Sequence, residues 1–141
     1  MEEIYTLRSI LEGQAAFRAA TRIVETEIAV LTECADRIDA LLAHGGERNT
    51  AEIFKANHQL HNTILHAVHS ERLSKMLSWL VEIPVTLQTF EKYSDRDIER
   101  SNHHHRELID AFRSRDPHWA QKVMETHLSA AHRLFAFNRK E

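Results

Sequence analysis

The sequence predicts an all-α protein, an antiparallel bundle of six to seven helices. Only three glycines and two prolines occur in 141 residues, so few points force a helix to break. Apolar residues recur at helical spacing along most of the chain, whereas few stretches alternate apolar with polar residues as a strand does. The length suits one domain, and we expect residues 1–141 to form a single bundle.

The first half of the chain predicts three helices. Apolar residues at every third or fourth position mark the inner face of a helix over about residues 2–22. Thr26 is a typical N-cap residue for the second helix, which the sequence His44-Gly45-Gly46 ends. Asn49 or Thr50 opens the third helix.

The second half predicts three further helices, one of them interrupted. After a break near Ser70, a fourth helix begins, and Pro84 should kink or interrupt it before a further turn or two to Tyr93. Ser94 or Asp95 caps the fifth helix. Asp116-Pro117, an N-cap followed by proline at the first helical position, opens a sixth helix that continues almost to the C-terminus.

Charge and composition exclude several classes of function. The formal net charge of -3 gives no basic footprint for nucleic acid or for an anionic membrane. The single Cys34 cannot form an intrachain disulfide, which fits a reducing compartment. Neither a secretory signal nor an apolar run long enough to span a bilayer is visible. We therefore expect a cytoplasmic protein that contacts DNA only through another domain.

Four side chains that bind metals in proteins fall on the predicted apolar stripes. Asn57 and His61 are one helical turn apart on the third helix, so their side chains point the same way. His105 and His127 lie on the stripes of the fifth and sixth helices. Three imidazoles and an amide oxygen suit a divalent metal; zinc is the first candidate, and the spacing also allows nickel, cobalt, manganese or iron(II).

A simpler interpretation of the same residues stays open. With eleven histidines in the chain, chance placement on a stripe is common, and one inward histidine is more often a hydrogen-bonded core residue than a ligand. The joint placement of the four favours the metal site.

Arginines on or beside the stripe of the first helix allow two interpretations. Arg8 and Arg18 could clamp the carboxylate of a small organic acid next to the metal, because a guanidinium binds a carboxylate through two parallel hydrogen bonds. Alternatively, Arg8 pairs with Glu12 one turn away, and Arg22 extends to solvent from the edge of the stripe.

Five segments, taken in order, resemble one known family. They are residues 3–20, Asn57-His-Gln-Leu-His61, His104-His105-Arg-Glu-Leu-Ile-Asp-Ala-Phe112, Asp116 with Ala120, and Met124-Glu-Thr-His127-Leu128. Their order and spacing are similar to those of the FadR C-terminal domain (FCD) family, the ligand-binding domains of GntR-type bacterial transcription regulators. The second segment resembles that family's Asp-x-x-Phe-His motif, and the last its Met-x-x-His-Leu motif. The likeness covers essentially the whole chain.

The resemblance implies a fold, a site and a partner. It implies an antiparallel helical bundle, with metal ligands at Asn57, His61, His105 and His127 and a small carboxylate effector beside the metal. It also implies a homodimer. The chain departs from the family pattern where Asn57 replaces an aspartate, His104 a glutamate and Leu60 a phenylalanine. Asn57 removes one negative charge, so metal affinity or metal choice is expected to differ.

Three hypotheses about function follow. The first is a metal-dependent effector-binding domain of a transcription regulator, not itself an enzyme, whose DNA-binding domain is absent from this chain. The second is a metal-dependent enzyme acting on a small organic acid. The third is a helical interaction module with hydrogen-bonded core histidines. Apolar residues off the stripes are candidates for a dimer interface: Ile10, Phe17, Trp79, Phe90 and Phe137.

Overall fold

A computed structural model describes residues 2–81 and 83–137, with the side chains of 83–85 and 135–137 left out. Within those residues the chain forms seven helices and no strand. The helices are α1 (Glu2–Arg22), α2 (Glu25–Ala43), α3 (Thr50–Ala67), α4 (Glu71–Leu80), α5 (Ile83–Lys92), α6 (Asp95–Arg113) and α7 (Pro117–Phe137). The predicted all-α class is confirmed.

The long helices α1 and α7 form the most extensive contact of the bundle and run antiparallel. Near the start of α1, the ring of Tyr5 stacks on that of His132, with 5.1 Å between centroids. Near its end, Phe17 meets His118 edge to face at 5.3 Å. Small side chains on α1 let the helices approach closely, and a Cβ at Gly13 would lie 3.1 Å from Glu125 Cγ. The fully buried small residues are Ala16, Ala19 and Ala20.

The core consists of two groups of buried apolar residues. The larger joins α1, α2, α3, α4, α6 and α7 and includes Leu31, Ile64 and Phe112. The smaller includes Phe90 and Tyr93. The prediction that Phe90 supplies an exposed interface was wrong, because its ring is buried and only 6% exposed. Phe137 lies outside the described side chains.

Predicted capping residues define the starts of α3, α6 and α7. Asn49 Oδ1 accepts a hydrogen bond from Glu52 N, Ser94 Oγ from Asp97 N, and Asp116 Oδ1 from Trp119 N. These bonds satisfy amide groups that the first helical turn leaves without a partner.

The start of α2 differs from the prediction. The helix begins at Glu25 with Val24 as its N-cap, not at Thr26. Here Glu27 reaches back and its Oε1 accepts a hydrogen bond from Val24 N at 3.2 Å. A carboxylate three residues inside the helix therefore satisfies an amide at its start, and no polar cap side chain is needed.

The predicted interruption at Pro84 is confirmed. Pro84 lies in the first turn of α5, where its missing N–H breaks no helical hydrogen bond. The preceding α4 packs mainly against α1 rather than against α3. This arrangement leaves space between α3 and α4. No described helix combines the length and apolar composition that crossing a bilayer requires.

Candidate metal centre

Three histidines from three helices meet inside the bundle. His61 of α3, His105 of α6 and His127 of α7 each offer a ring nitrogen within 4.8 Å of the other two. His61 Nε2 and His127 Nε2 are 3.2 Å apart. Two nitrogens that each lie about 2.0–2.1 Å from one tetrahedral zinc ion are separated by about 3.3 Å. The spacing of these nitrogens therefore suits a shared metal ion.

Asn57 lies one helical turn before His61 and is 8% exposed. Its Oδ1 is buried and has no hydrogen-bond partner among the described residues. His105 Nε2 and His127 Nδ1 are also buried and also lack a hydrogen-bond partner there. A buried polar atom without a partner costs about 1–3 kcal/mol. A cation bound to Asn57 Oδ1 and His105 Nε2 would give both of these atoms a partner.

His105 is fixed in one tautomer by Asn102, one turn earlier on α6. Asn102 Nδ2 donates to Ala35 O at 3.0 Å and to Asp39 Oδ1 at 2.7 Å. Both of these oxygens only accept, so the amide oxygen of Asn102 must face His105 Nδ1, which lies 3.0 Å away. His105 Nδ1 therefore carries the proton, and Nε2 keeps its lone pair for the centre of the cluster.

The network behind Asn102 continues to the protein surface. Arg106 Nη2 contacts Asp39 Oδ2 at 2.6 Å and Asp36 Oδ1 at 2.8 Å. Burial raises the pKa of Asp39, but hydrogen bonds from Arg106 and Asn102 lower it overall. The chain Arg106–Asp39–Asn102–His105 thus connects a surface cation to a buried imidazole.

Glu12 forms the second support of the cluster, behind His61. Its Oε1 lies 3.4 Å from His61 Nδ1, and its Oε2 accepts a hydrogen bond from Arg8 Nη2 at 3.2 Å. Burial raises the pKa of Glu12, but the charge of Arg8 and the contact with His61 outweigh it and lower the pKa to about 2. The carboxylate is therefore ionised, and its charge favours His61 as an electron-rich ligand.

Burial keeps the remaining two imidazoles neutral. It lowers the pKa of His105 and of His127 well below 6.5, and the neighbouring histidines add to the effect. Metal ions bind the neutral imidazole, so no proton has to leave these two rings before an ion binds near neutral pH.

A cavity of about 340 Å³ opens beside the cluster, between α3 and α4. Next to the cluster its polar lining is Arg8, Glu12, Asn57 and His61. The other polar residues that line it are His58, Asn62, Ser74, Ser78 and Thr86. Its apolar walls are Ala15, Phe54, Ile64, Leu65, Leu77, Val81 and Met124. A small-molecule site typically combines an apolar lining with a few such convergent polar groups.

The predicted arginines have different environments. Arg8 lines the cavity and also forms the alternative pair with Glu12. Arg18 is exposed and does not line this cavity. Arg22 donates a hydrogen bond to Val68 O at 2.6 Å, which ties α1 to the end of α3.

Two supporting residues were not identified as such from the sequence. Glu12 was considered only as a partner of Arg8, and no role was assigned to Asn102. The available signal was spacing, since Asn102 precedes His105 by one turn. His104 flanks the cluster as well; it is half-buried, and its ring centroid is 5.5 Å from that of His127.

The fold and this arrangement together describe an all-helical domain built around a candidate metal centre. Residues 3–130 match the FCD domain family, and the chain belongs to that family. The resemblance predicted from the sequence is thereby confirmed.

Two curated relatives carry the same name. The chain is 25% identical over 133 residues to the Glc operon transcriptional activator of Escherichia coli strain K12, and equally to that of Escherichia coli O6:H1 strain CFT073. The match covers 89% of this chain and 51% of each relative. The chain thus spans about half the length of the curated relatives it matches.

Proposed function

We propose that this chain is the effector-binding domain of a GntR-type transcription regulator. It binds a divalent metal and a small organic acid inside the helical bundle and so controls DNA binding by a domain outside this chain. The observation that carries the proposal is the convergence of His61, His105 and His127 beside a cavity that Arg8 also lines. Membership in the FCD family and the names of the relatives support the regulatory role.

The metal is held by three imidazoles and the amide oxygen of Asn57. Zinc is the first candidate because neutral imidazoles are among its usual ligands, and nickel, cobalt, manganese or iron(II) are alternatives. The amide oxygen and the three imidazoles carry no charge, so the ligands do not neutralise the ion. Only the nearby carboxylate of Glu12 offsets part of its positive charge. That charge makes the cavity attractive to an anion.

Arg8 gives the cavity its second anion-binding group. Its Nη2 is hydrogen-bonded to Glu12, whereas its Nε is buried and has no hydrogen-bond partner among the described residues. A carboxylate in the cavity would accept from this Nε while a second oxygen binds the metal. The effector is accordingly a small carboxylate.

Regulation follows from a shift between two arrangements of a homodimer. An effector changes the population of the two arrangements only if it binds them with different affinity. Exposed apolar side chains could supply the contact between protomers, since Ile10 is 59% and Trp79 78% exposed. The repositioned protomers would then move the attached DNA-binding domains.

A metal-dependent enzyme is the alternative, and Glu12 is its best candidate for a general base. A carboxylate with a pKa of about 2 is a weak proton acceptor near neutral pH. Glu12 is also bonded to Arg8 and in contact with His61, so both of its oxygens are occupied. The geometry therefore favours sensing over turnover.

Metal content of the purified protein tests the proposal. Protein incubated with each candidate ion and then desalted is expected to retain one ion per chain. Asn57→Ala, His61→Ala, His105→Ala and His127→Ala should each lower that content, with the smallest loss for Asn57→Ala because a neutral amide is the weakest ligand. His66→Ala, at an exposed position of α3, is the matched control. Unchanged metal content in all four variants would overturn the metal site.

A further inference from the structure

We propose that the cavity between α3 and α4 takes a monocarboxylate with an apolar body, such as an alkanoate of intermediate length. The inference rests on the proposed function for the anchoring of the carboxylate. It adds the chemical class of the ligand body, the part beyond the carboxylate. That class is argued from the cavity walls away from Arg8 and the metal ligands.

The cavity has cationic groups for the binding of one ligand carboxylate. Among its lining residues, which all belong to the described part of the chain, Arg8 is the only lysine or arginine, and it stands next to the metal ligands. Glu12 offsets part of its charge at 3.2 Å. A second carboxylate on the ligand would extend to walls that carry no cation. Removing that carboxylate from water without a partner would cost affinity.

The deep walls of the cavity are apolar. Ile64 of α3, Leu77 of α4 and Met124 of α7 are buried and line it. Ala15 of α1 is buried and also lines the cavity, and Leu65 is a half-buried apolar residue of the lining. A hydroxylated ligand body would lose its hydrogen bonds to water against these side chains and gain none in return. A hydrocarbon body would instead bury its surface favourably.

The polar groups of the opposite rim lie near solvent. Asn62 and Ser78 are exposed, and Asn62 Nδ2 is 3.0 Å from His58 Nε2. They therefore lie at the opening of the cavity and not in its interior. Ser74 of α4, Thr86 of α5 and His58 of α3 are half-buried and also line the cavity, so they are the polar side chains away from the rim that a ligand body could meet.

The volume is larger than the shortest organic acids need. A cavity of about 340 Å³ falls at the lower end of the range that small-molecule sites occupy, roughly 300–1,000 Å³. Acetate would leave most of the apolar wall in contact with water. Each methylene that replaces this water is expected to raise affinity about three- to fourfold.

The test is a homologous series on metal-loaded protein. Calorimetric dissociation constants are measured for acetate, butanoate, hexanoate and octanoate. Butanedioate is the control for a second carboxylate, and gluconate is a hydroxylated control with the carbon count of hexanoate. We expect affinity to rise from acetate through hexanoate, with hexanoate binding at least tenfold more tightly than gluconate and butanoate more tightly than butanedioate.

A variant pair connects the chain-length dependence to this cavity. Leu65→Asn should weaken hexanoate binding about tenfold more than it weakens acetate binding, while metal content stays at the wild-type value. Leu7→Asn, at an exposed leucine of α1 outside the cavity lining, should leave hexanoate binding, acetate binding and metal content unchanged. Equal affinity along the series, or tighter binding of gluconate or butanedioate, would overturn this inference and leave the proposed function intact. Failure of every carboxylate to bind metal-loaded protein would overturn both.

Discussion

Asn102 Oδ1 lies 3.0 Å from His105 Nδ1, and both side chains are 1% exposed. Asn102 donates both of its amide protons to oxygens of α2, so its Oδ1 can only accept in this contact. His105 Nδ1 is therefore the donor. The orientation of a candidate ligand on α6 is thus determined by a residue that does not face the metal centre. Groups of this kind set ligand direction and basicity in metal sites.

Replacing Asn102 by leucine is expected to weaken metal binding while leaving the ligands in place. Asn102→Leu keeps the branched shape of the side chain but removes the acceptor for His105, so the ring can rotate or change tautomer. We expect metal affinity to fall about 10- to 100-fold, measured by competition with a chromogenic chelator on protein whose helix content matches the wild type. Arg106→Gln, which removes only the two exposed ion pairs with Asp36 and Asp39, should change affinity less than threefold. Equal affinities for Asn102→Leu and wild type would contradict the positioning role.

Glu12→Gln should destabilise the protein through Arg8. The substitution leaves a buried guanidinium beside a neutral amide, and breaking a buried pair in this way costs about 3–5 kcal/mol. Arg8→Gln alone should lower the free energy of unfolding by a similar amount, because it leaves the buried carboxylate of Glu12 without its cation. The double variant should cost less than the sum, because no unpaired charge remains. Urea unfolding of the four proteins measures this, and strictly additive losses would show that the two side chains do not interact.

Local sequence signals predicted the helices well because helix ends depend on near neighbours. Asn49, Ser94 and Asp116 cap the helices that they were expected to cap. The start of α2 was placed at Thr26 because the rule for polar caps has no means of anticipating that Glu27 satisfies Val24 N. The interruption at Pro84 followed from backbone chemistry alone.

Periodicity predicts which face of a helix is inward but not how deeply each residue is buried. It placed His61, His105 and His127 together correctly, since each lies on a stripe. It did not place Glu12 in the same site, because the spacing of Arg8 and Glu12 suits an exposed pair equally well. The burial of Glu12 depends on α7 packing closely against α1 at Gly13, a contact between distant parts of the chain. Phe90 was misassigned for the same reason.

The metal-free protein should lose stability as pH falls in two windows. His105 and His127 have lowered pKa values in the fold, so the unfolded chain binds more protons than the folded one below pH 6.5. Stability should be complete above that pH and decline below it. The pKa of Glu12 is lowered from 4.5 to about 2, so its contribution should disappear between those values. Urea unfolding with chelator from pH 8 to pH 3 checks this, and a His105→Gln variant should show a shallower first decline. A pH-independent midpoint from pH 7 to pH 5 would contradict the burial of neutral histidines.

Removing a bound metal should lower the melting temperature. A ligand present at one hundred times its dissociation constant stabilises the folded state by about 2.7 kcal/mol. For a chain of this length that corresponds to roughly 5–10 °C. Calorimetric scans with and without chelator measure the difference, and His127→Ala should melt at the same temperature in both. An identical shift in His127→Ala would mean that the chelator acts elsewhere.

The turn after α3 offers a stability prediction independent of any ligand. His69 is exposed and has φ of +55°, a left-handed conformation that costs a residue with a Cβ about 1–2 kcal/mol. His69→Gly should therefore stabilise the protein by about 0.5–1 kcal/mol, measured by urea unfolding. His66→Gly, three residues earlier at an exposed helical position, should instead destabilise it by about 0.3–0.5 kcal/mol, because histidine is a better helix former than glycine. Because the two substitutions are chemically the same, only the backbone conformation predicts opposite signs. Loss of stability in both variants would mean that the His69 side chain contributes more than its conformation costs.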